Sequence, residues 1–574
     1  VFFPTLTPPR QIRASVTRFL GYDRSPRTAE GAFTAMENMT SQSYPTLSVR
    51  PRRGTVAALN TPLGLIARDN LVWCDGTHLV IGGYQTGLVL SPNSEKQLVS
   101  MGAYLVIFPD RVYINTRDLS DFGTLENTAV TTGTVSFTLC RSDGDPFDSC
   151  TVSAAAPENP AAGALWLDTS GQTPVLRQYD AAAAGWTMTA ATYVKLSAAG
   201  IGRGFAPGDG VTVSGCGKED FNGGFVLSAV GNDFLVLPGV LSAAYSQTAA
   251  LTVRRLVPEM DFVTECGNRL WGCKYGLVNG ETVNEIYACK LGDFKNWNCF
   301  AGLSTDSYAA ARGADGPFTG AVTHLGCPLF FREHSLEKVY PSASGAHQIV
   351  TTECDGVRKG SGRSLCVVEG VLYYHGSGGV CAYDGSLPQN VSAAWGDAVY
   401  QYGVAGSIGG CYYISVQDGG TAWHLFCYDT RRKLWHREDA THAIAFAAAA
   451  GELYCLEAGG RVLALLGTQG TVEGRVPFLA ETGDLGLEDM EHKYLQRVEL
   501  SLLLGEGTTL SVCVSYDSGA TWELKGSLTG TSRRAVVLPI RPRRCHHLRL
   551  RLRGTGDCQV YALCGVYEKG SDTP

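Results

Sequence analysis

The sequence predicts an all-β protein: a β-propeller with an inserted β-rich module and a C-terminal β-sandwich of jelly-roll type. Three observations point there. Glycine is abundant, 69 of 574 residues, while charged residues make up only 18%, a balance that suits many short strands joined by tight turns. Runs rich in Val, Leu and Tyr are punctuated by Gly and Asp turns, as half-buried strands require. The same strand–turn–strand unit returns roughly every 40–50 residues, the period of propeller blades. With 44% hydrophobic residues, a chain of this length has material for several folding units and too much for one core.

Taken in order, residues 1–56 have weak periodicity and contain Pro4, Pro8, Pro9, Pro26, Pro45 and Pro51. They are expected to form an extended N-terminal arm whose order comes from contact with a neighbouring domain or subunit. Tyr44, Arg50, Arg52 and Arg53 are its candidate assembly contacts. Residues 57–128 begin the propeller: Leu71 to Ile81 is a strand, a turn at Asp75-Gly76 and a second strand, and Tyr104 to Ile114 repeats it around Pro109-Asp110. Residues 129–255 break the rhythm with strand-rich, Ala/Gly-spaced units and are expected to be an insertion at a blade loop. The blade vocabulary resumes over 256–478, in Leu270-Trp-Gly-Cys, Pro328-Leu-Phe-Phe, Val371-Leu-Tyr-Tyr, Cys411-Tyr-Tyr-Ile with Trp423-His-Leu-Phe, and Leu453-Tyr-Cys-Leu. Such a unit cannot bury both faces alone, so a ring of units is the natural solution. A plain sandwich is the simpler alternative, but the repeat outlasts its seven to nine strands. Residues 479–574 form the last domain, where Leu548, Leu550 and Leu552 alternate with Arg549, Arg551 and Arg553 as in a half-buried strand with one basic face.

Bulk properties exclude several classes. A net charge of −7 argues against a general nucleic-acid binder, although Arg541, Arg543, Arg544, Arg549, Arg551 and Arg553 form a candidate basic face for DNA phosphates or an acidic partner. Nineteen cysteines is an odd number, and many sit in apolar runs, so they are expected as small buried hydrophobes of a protein made in a reducing compartment. The N-terminal stretch is too short and too proline-broken for a signal peptide. No apolar run approaches the ~18 residues of a helical membrane span.

Chemistry is sparse. Cys266 and Cys273 have the wrong spacing for metal ligation, and His546 and His547 would point to opposite faces of a strand. His334, His375, His424 and His436 stand alone in the sequence and are expected to be structural or exposed. The glycine-rich turns lack a GKS/T ending and a following helix, and no nucleophile elbow precedes a helix. No cofactor, metal or catalytic residue is therefore expected. One motif is specific: Ser515-Tyr-Asp517-Ser-Gly519-Ala-Thr-Trp522 matches the Asp-box pattern S-x-D-x-G-x-x-W. It resembles the turns of sialidases, which carry several boxes, three arginines and a Tyr/Glu pair. A single box outside the expected propeller is read here as a stable hairpin. Sugar stacking on Trp166, Trp186 or Trp522 is the second candidate function.

Phe19-Leu-Gly-Tyr-Asp, Glu37-Asn-Met-Thr with Tyr44-Pro-Thr-Leu, Glu285-Ile-Tyr-Ala-Cys-Lys-Leu-Gly-Asp and the ending Pro542-Arg-Arg-Cys-His-His resemble propeller-type structural proteins of tailed bacteriophages and prophages of Firmicutes. The resemblance covers most of residues 15–125 and 256–574. It implies a non-enzymatic virion subunit, synthesised in the bacterial host cytoplasm. Such a subunit would form a homo-oligomeric ring in the tail or at the head–tail junction, with other virion proteins, packaged DNA or the host surface as partners. Two alternatives stand beside it: a host-glycan-binding tail or baseplate protein, and an Asp-box glycoside hydrolase with paired carboxylates about 5–10 Å apart.

Overall fold

The computed structural model describes residues 11–189, 191–486, 491–530 and 534–569. The opening ten residues, with Pro4, Pro8 and Pro9, and the last five lie outside them. The described chain is all-β: strands are joined by turns, and the helical content is three single 3₁₀ turns, among them Gly362–Ser364. Its sheets are consistent with a propeller-like or sandwich-like architecture.

Seven of the sheets are antiparallel meanders. The first runs Pro62–Ala67, Leu71–Asp75, His78–Ile81 and Tyr84–Val89, and the second Gln97–Met101, Tyr104–Phe108, Val112–Asn115 and Phe122–Thr124. The third to sixth begin at Phe262–Glu265, Gly320–His324, Cys366–Val368 and Gln401–Ile408. The seventh begins at Ala443–Ala449 and continues through Glu452–Glu457 and Arg461–Ala464. Their leading strands are neighbours in sequence order: Pro62–Ala67 touches Gln97–Met101, which touches Phe262–Glu265, which touches Gly320–His324. The Gly362–Ser364 turn bridges Gly320–His324 to Gln401–Ile408, and Gln401–Ile408 touches Ala443–Ala449, which returns to Pro62–Ala67. Packing is face to face, with Leu105, Ile107, Val72 and Ile114 sharing one apolar cluster and Leu329, Phe331, Leu372 and Tyr374 another.

The N-terminal region takes its order from contact with the C-terminal region. Gln11–Val16 and Leu47–Val49 both pair with Cys558–Lys569, and Ala32–Glu37 pairs with Pro477–Thr482. These strands complete two sheets whose other members, Lys493–Leu504, Thr509–Ser515 and Arg549–Thr555, come from the C-terminal region. Phe19, Phe33 and Met36 are buried with Leu500, Leu510, Leu550 and Val560 in one core. Apolar side chains, rather than the prolines, decide the fate of the segment: burying three large residues of this kind contributes about 1.5–3 kcal/mol each. Gly54–Ala58 then leaves these two sheets and adds to the seventh sheet beside Arg461–Ala464.

Residues 127–255 form two further sheets around Val135, Phe137, Leu196, Leu235 and Val253. A smaller sheet, Thr151–Ser153 to Gly185–Met188, grows out between their strands. This region is fastened to a loop of the third sheet by Asn296, which donates to Asp209 at 2.9 Å and accepts from the Gly210 amide at 2.9 Å. Asp209 also pairs with buried Arg255.

Candidate functional site

The leading strands of the meanders present their starting ends to one shared cavity of about 550 Å³. It is lined from six separate places in the sequence, by Glu95, Phe262, Thr319, Arg363, Tyr402 with Trp423, and His442. Each is placed by its own sheet. Trp423 opens the third strand of the sixth sheet, opposite Gln417, and its indole lies flat on the His442 imidazole, with centroids 3.6 Å apart and planes 10° off parallel. Tyr402 sits at a register shift between Gln401 and Val404 with φ of +56°. That left-handed backbone costs a non-glycine residue about 1–2 kcal/mol, and such outliers gather at functional sites. Its ring is 48% exposed.

The polar groups are unevenly satisfied. The Arg363 guanidinium donates to the Ile444 carbonyl at 2.8 Å and to the Lys96 carbonyl at 3.3 Å, and pairs with Glu95 at 3.2 Å. Burial pushes the His442 pKa below its usual value, against the opposing pull of Glu95, so the imidazole is neutral near pH 7. Thr319 is 3% exposed, its amide donates to the Phe331 carbonyl, and its hydroxyl is buried with no hydrogen-bond partner. A buried hydroxyl left unpaired costs about 1–3 kcal/mol. A flat aromatic ledge, a paired acid and arginine, and an idle hydroxyl together suit a ligand with C–H faces and hydroxyl rims.

Two other concavities are weaker candidates. A furrow of about 760 Å³ beside Val49, Leu504, Glu506 and Asp557 has no aromatic wall. A groove of about 560 Å³ contains Tyr373, Tyr428 and Trp435, but these rings are 2–7% exposed and are spent on the core.

The expected assembly contacts are engaged within the chain. Arg50 donates to Asn38 at 2.7 Å and to Glu473 at 2.5 Å. Arg53 pairs with Glu438 at 2.7 Å and Asp439 at 2.8 Å, and Arg52 pairs with Asp557 at 2.7 Å. Tyr44 accepts a hydrogen bond from Arg18 and lies under the Arg432 guanidinium, 5.1 Å from its centroid. The basic stretch is partly neutralised: Arg549 is bidentate to Asp484 at 2.7 and 3.1 Å, Arg551 meets Glu481 at 2.6 Å, and Arg543 meets Glu523 at 2.9 Å. Arg541, Arg544 and Arg553 are exposed.

The Asp-box residues form a closed turn between Thr509–Ser515 and Glu523–Thr529. Asp517 accepts from the Thr521 amide at 2.9 Å and from its hydroxyl at 2.5 Å, while the Ser515 hydroxyl donates to Asp517 at 2.7 Å and accepts from the Gly519 amide at 2.9 Å. Bonds from the Thr521 hydroxyl first, then from Ser515 and the Thr521 amide, hold the Asp517 pKa at about 2. Gly519 has φ of +96°. Trp522 is covered by the Arg551 guanidinium, 3.8 Å from the ring centroid. Trp166 is buried, edge-on to Trp186 at 5.3 Å, with its Nε1 donating to the Ser153 carbonyl. The tryptophans singled out in the sequence thus stack on their own chain, and the one at the cavity, Trp423, was passed over because it reads as an ordinary strand residue.

All nineteen cysteines are free thiols. His375 and His436 are buried, His334 is exposed, and His424 contacts Asp418 at 3.2 Å. Among the described residues no group of three His, Cys, Asp or Glu side chains is arranged to hold a metal ion, and no helix is long and apolar enough to cross a membrane.

No family model and no curated protein matches the chain. Solved structures do. An exo-β-1,3-galactanase from Phanerochaete chrysosporium is similar over 52% of this chain and 95% of its own, at 7% identity and TM-score 0.21. Phage phi92 endosialidase is similar over 83% of this chain and 64% of its own, at 11% identity and TM-score 0.21. Trypanosoma rangeli sialidase is similar over 97% of both chains, at 10% identity and TM-score 0.21. These neighbours are described as glycoside hydrolases and sialidases, and none is described as a tail or head–tail junction protein. They correct the expectation of a non-enzymatic phage virion subunit, and with it the homo-oligomeric ring, the virion partners, packaged DNA and host surface among them, and the virion location.

Proposed function

We propose that the chain is a carbohydrate-recognising protein, and that a saccharide occupies the cavity between Glu95, Arg363, Tyr402 and Trp423. The observation that carries this is the Trp423–His442 stack, centroids 3.6 Å apart, at the wall of a 550 Å³ cavity. Aromatic rings of this kind offer an apolar face to sugar C–H groups beside polar groups that fix orientation. The volume falls in the ~300–1,000 Å³ range of small-molecule sites. Glu95 is the single carboxylate of the described lining and the group any acid–base step there would use.

The architecture in this reading is a seven-bladed propeller over 57–128 and 256–478. Its ring is closed by the seventh sheet against the first, with Gly54–Ala58 as the fourth strand of the last blade, edged by Thr471–Val472. The module at 129–255 is an insertion between the second and third blades, and 479–574 together with residues 11–49 is the jelly-roll-like sandwich. The cyclic order of neighbouring leading strands supports the ring. The Asp box serves the sandwich hairpin, and the paired arginines at 50, 52 and 53 serve the seam between sandwich and propeller. Exposed Arg541 and Arg553 remain the part of the basic stretch open to an acidic partner.

The test is a glycan microarray probed with the purified chain, alongside release of nitrophenol from a panel of aryl glycosides. Binding or turnover that Trp423→Ala removes supports the reading. A chain that neither binds nor cleaves any glycan overturns it.

A further inference from the structure

The charge inventory of the cavity goes further than its shape. Arg363 is its cation, and the planar fork that would clamp a carboxylate is already turned onto Glu95 and the Ile444 and Lys96 carbonyls. A bidentate Arg–carboxylate pair needs two parallel N–H donors free at once. Glu95 is 65% exposed at its side chain and adds a negative field at the mouth. An anionic sugar would therefore meet a like charge and an occupied arginine, and would lose hydration without a replacement partner. A neutral sugar meets none of these penalties. Its apolar face matches Trp423 and the half-exposed Tyr402 ring, and its hydroxyls can supply what the buried Thr319 hydroxyl lacks.

Resting on the saccharide reading above, we infer that the ligand class is a neutral glycan, one free of sialic acid and uronic acid, stacked on Trp423 and hydrogen-bonded by Thr319. Thr319 acts as a specificity group here: an unpaired buried hydroxyl contributes nothing to the empty protein and gains a partner only when the sugar is seated.

Three arms on the full chain test this. The array carries neutral galacto-, gluco-, xylo- and arabino-oligosaccharides beside sialylated and uronate-containing ones. The expected result is binding confined to the neutral set. Preference for sialylated or uronate glycans overturns the neutral class while leaving the saccharide reading standing, and silence across the whole array overturns the saccharide reading itself.

Glu95→Gln removes the like charge from the mouth and leaves Arg363 as the uncompensated charge of the cavity, its Nη1 and Nη2 still on the Ile444 and Lys96 carbonyls. Acidic glycans are expected to gain about tenfold relative to neutral ones, and an unchanged ratio counts against the charge argument. Thr319→Val is expected to leave the melting temperature unchanged or raised while weakening neutral-glycan binding about fivefold. A lowered melting temperature with unchanged binding assigns Thr319 to the scaffold and overturns its role.

Discussion

Arg53 Nη2 and Glu438 Oε2 lie 2.7 Å apart with both side chains buried, at 3% and 7% exposure. The pair ties the segment leading into Gly54–Ala58 to the end of the sixth sheet. Asp439, 2.8 Å from Arg53 Nη1, and the Thr441 hydroxyl at 2.7 Å complete the contact. Breaking one side of such a pair strands a buried charge, which typically costs about 3–5 kcal/mol. Arg53→Ala is therefore expected to lower the unfolding free energy by about that amount in a denaturant titration. The Arg53→Met/Glu438→Leu double variant should recover most of the loss, because a well-packed apolar pair replaces the ions.

Gly54 is a second fastening at the same seam. A Cβ there would sit 1.8 Å from the Gln469 carbonyl oxygen, closer than any atom can approach backbone. Gly54→Ala should displace Gly54–Ala58 from Arg461–Ala464, read as new amide exchange in both strands and a drop in melting temperature. Unchanged exchange would show that the 469–470 turn gives way instead.

Trp423→Ala removes the half-buried indole that stacks on His442. Glycan affinity is expected to fall about tenfold, the loss of a stacking contact of ~1–1.5 kcal/mol, with the far-ultraviolet spectrum retained. His442→Phe keeps an aromatic support beneath the indole and should keep most of the binding.

Acid sensitivity has identifiable sources. Burial lowers the His375 and His436 pKa values to about 4, so the unfolded chain takes up protons at these sites that the folded one refuses. Stability is then fully present above about pH 6.5 and declines as pH falls from there toward 4, by a few kcal/mol if both act. Neither ring nitrogen of His436 has a hydrogen-bond partner, so His436→Leu is expected to hold stability at pH 7 and flatten that decline. A pH series of thermal melts reads both.

Asp517 works lower on the scale. Its pKa of about 2 lies below the unfolded value near 4, so its contribution holds above pH 4 and fades as pH falls toward 2. Asp517→Asn should loosen the 515–522 turn at neutral pH as well, because a neutral amide is a weaker acceptor for the Thr521 amide and hydroxyl.

Much of the fold was legible because propeller-like sheets are local. Leu71–Asp75 and His78–Ile81 pair across Asp75-Gly76, and Tyr104–Phe108 pairs with Val112–Asn115, so alternation and turn residues within a dozen positions were enough. The Asp box was legible for the same reason, since its bonds span residues 515–521. The N-terminal strands were not: Ala32–Glu37 finds its partner at Pro477–Thr482, and nothing near Phe33 or Met36 announces a partner so far along the chain. The candidate site failed the same test. Glu95, Thr319, Arg363, Tyr402, Trp423 and His442 contribute one or two side chains per sheet, without spacing or motif, and become neighbours only where the leading strands converge. A shared signal was present in position alone: most of them stand at or just before the first strand of a meander.

The pairing of Gln11–Val16 with Cys558–Lys569 has a consequence for how the chain is made. Gln11 and Glu568, side-chain partners, are 557 residues apart. On a ribosome, the early apolar residues Phe19, Phe33 and Met36 emerge long before Lys493–Leu504 and Arg549–Thr555 exist to cover them. The first meanders can assemble as they appear, but the two sheets that take in the early strands wait for Cys558–Lys569, and the early segment stays sticky until then. A stretch made late is thus what shelters one made early, and a chain cut before Lys493 would present that segment to chaperones or proteases as a mark of incompleteness.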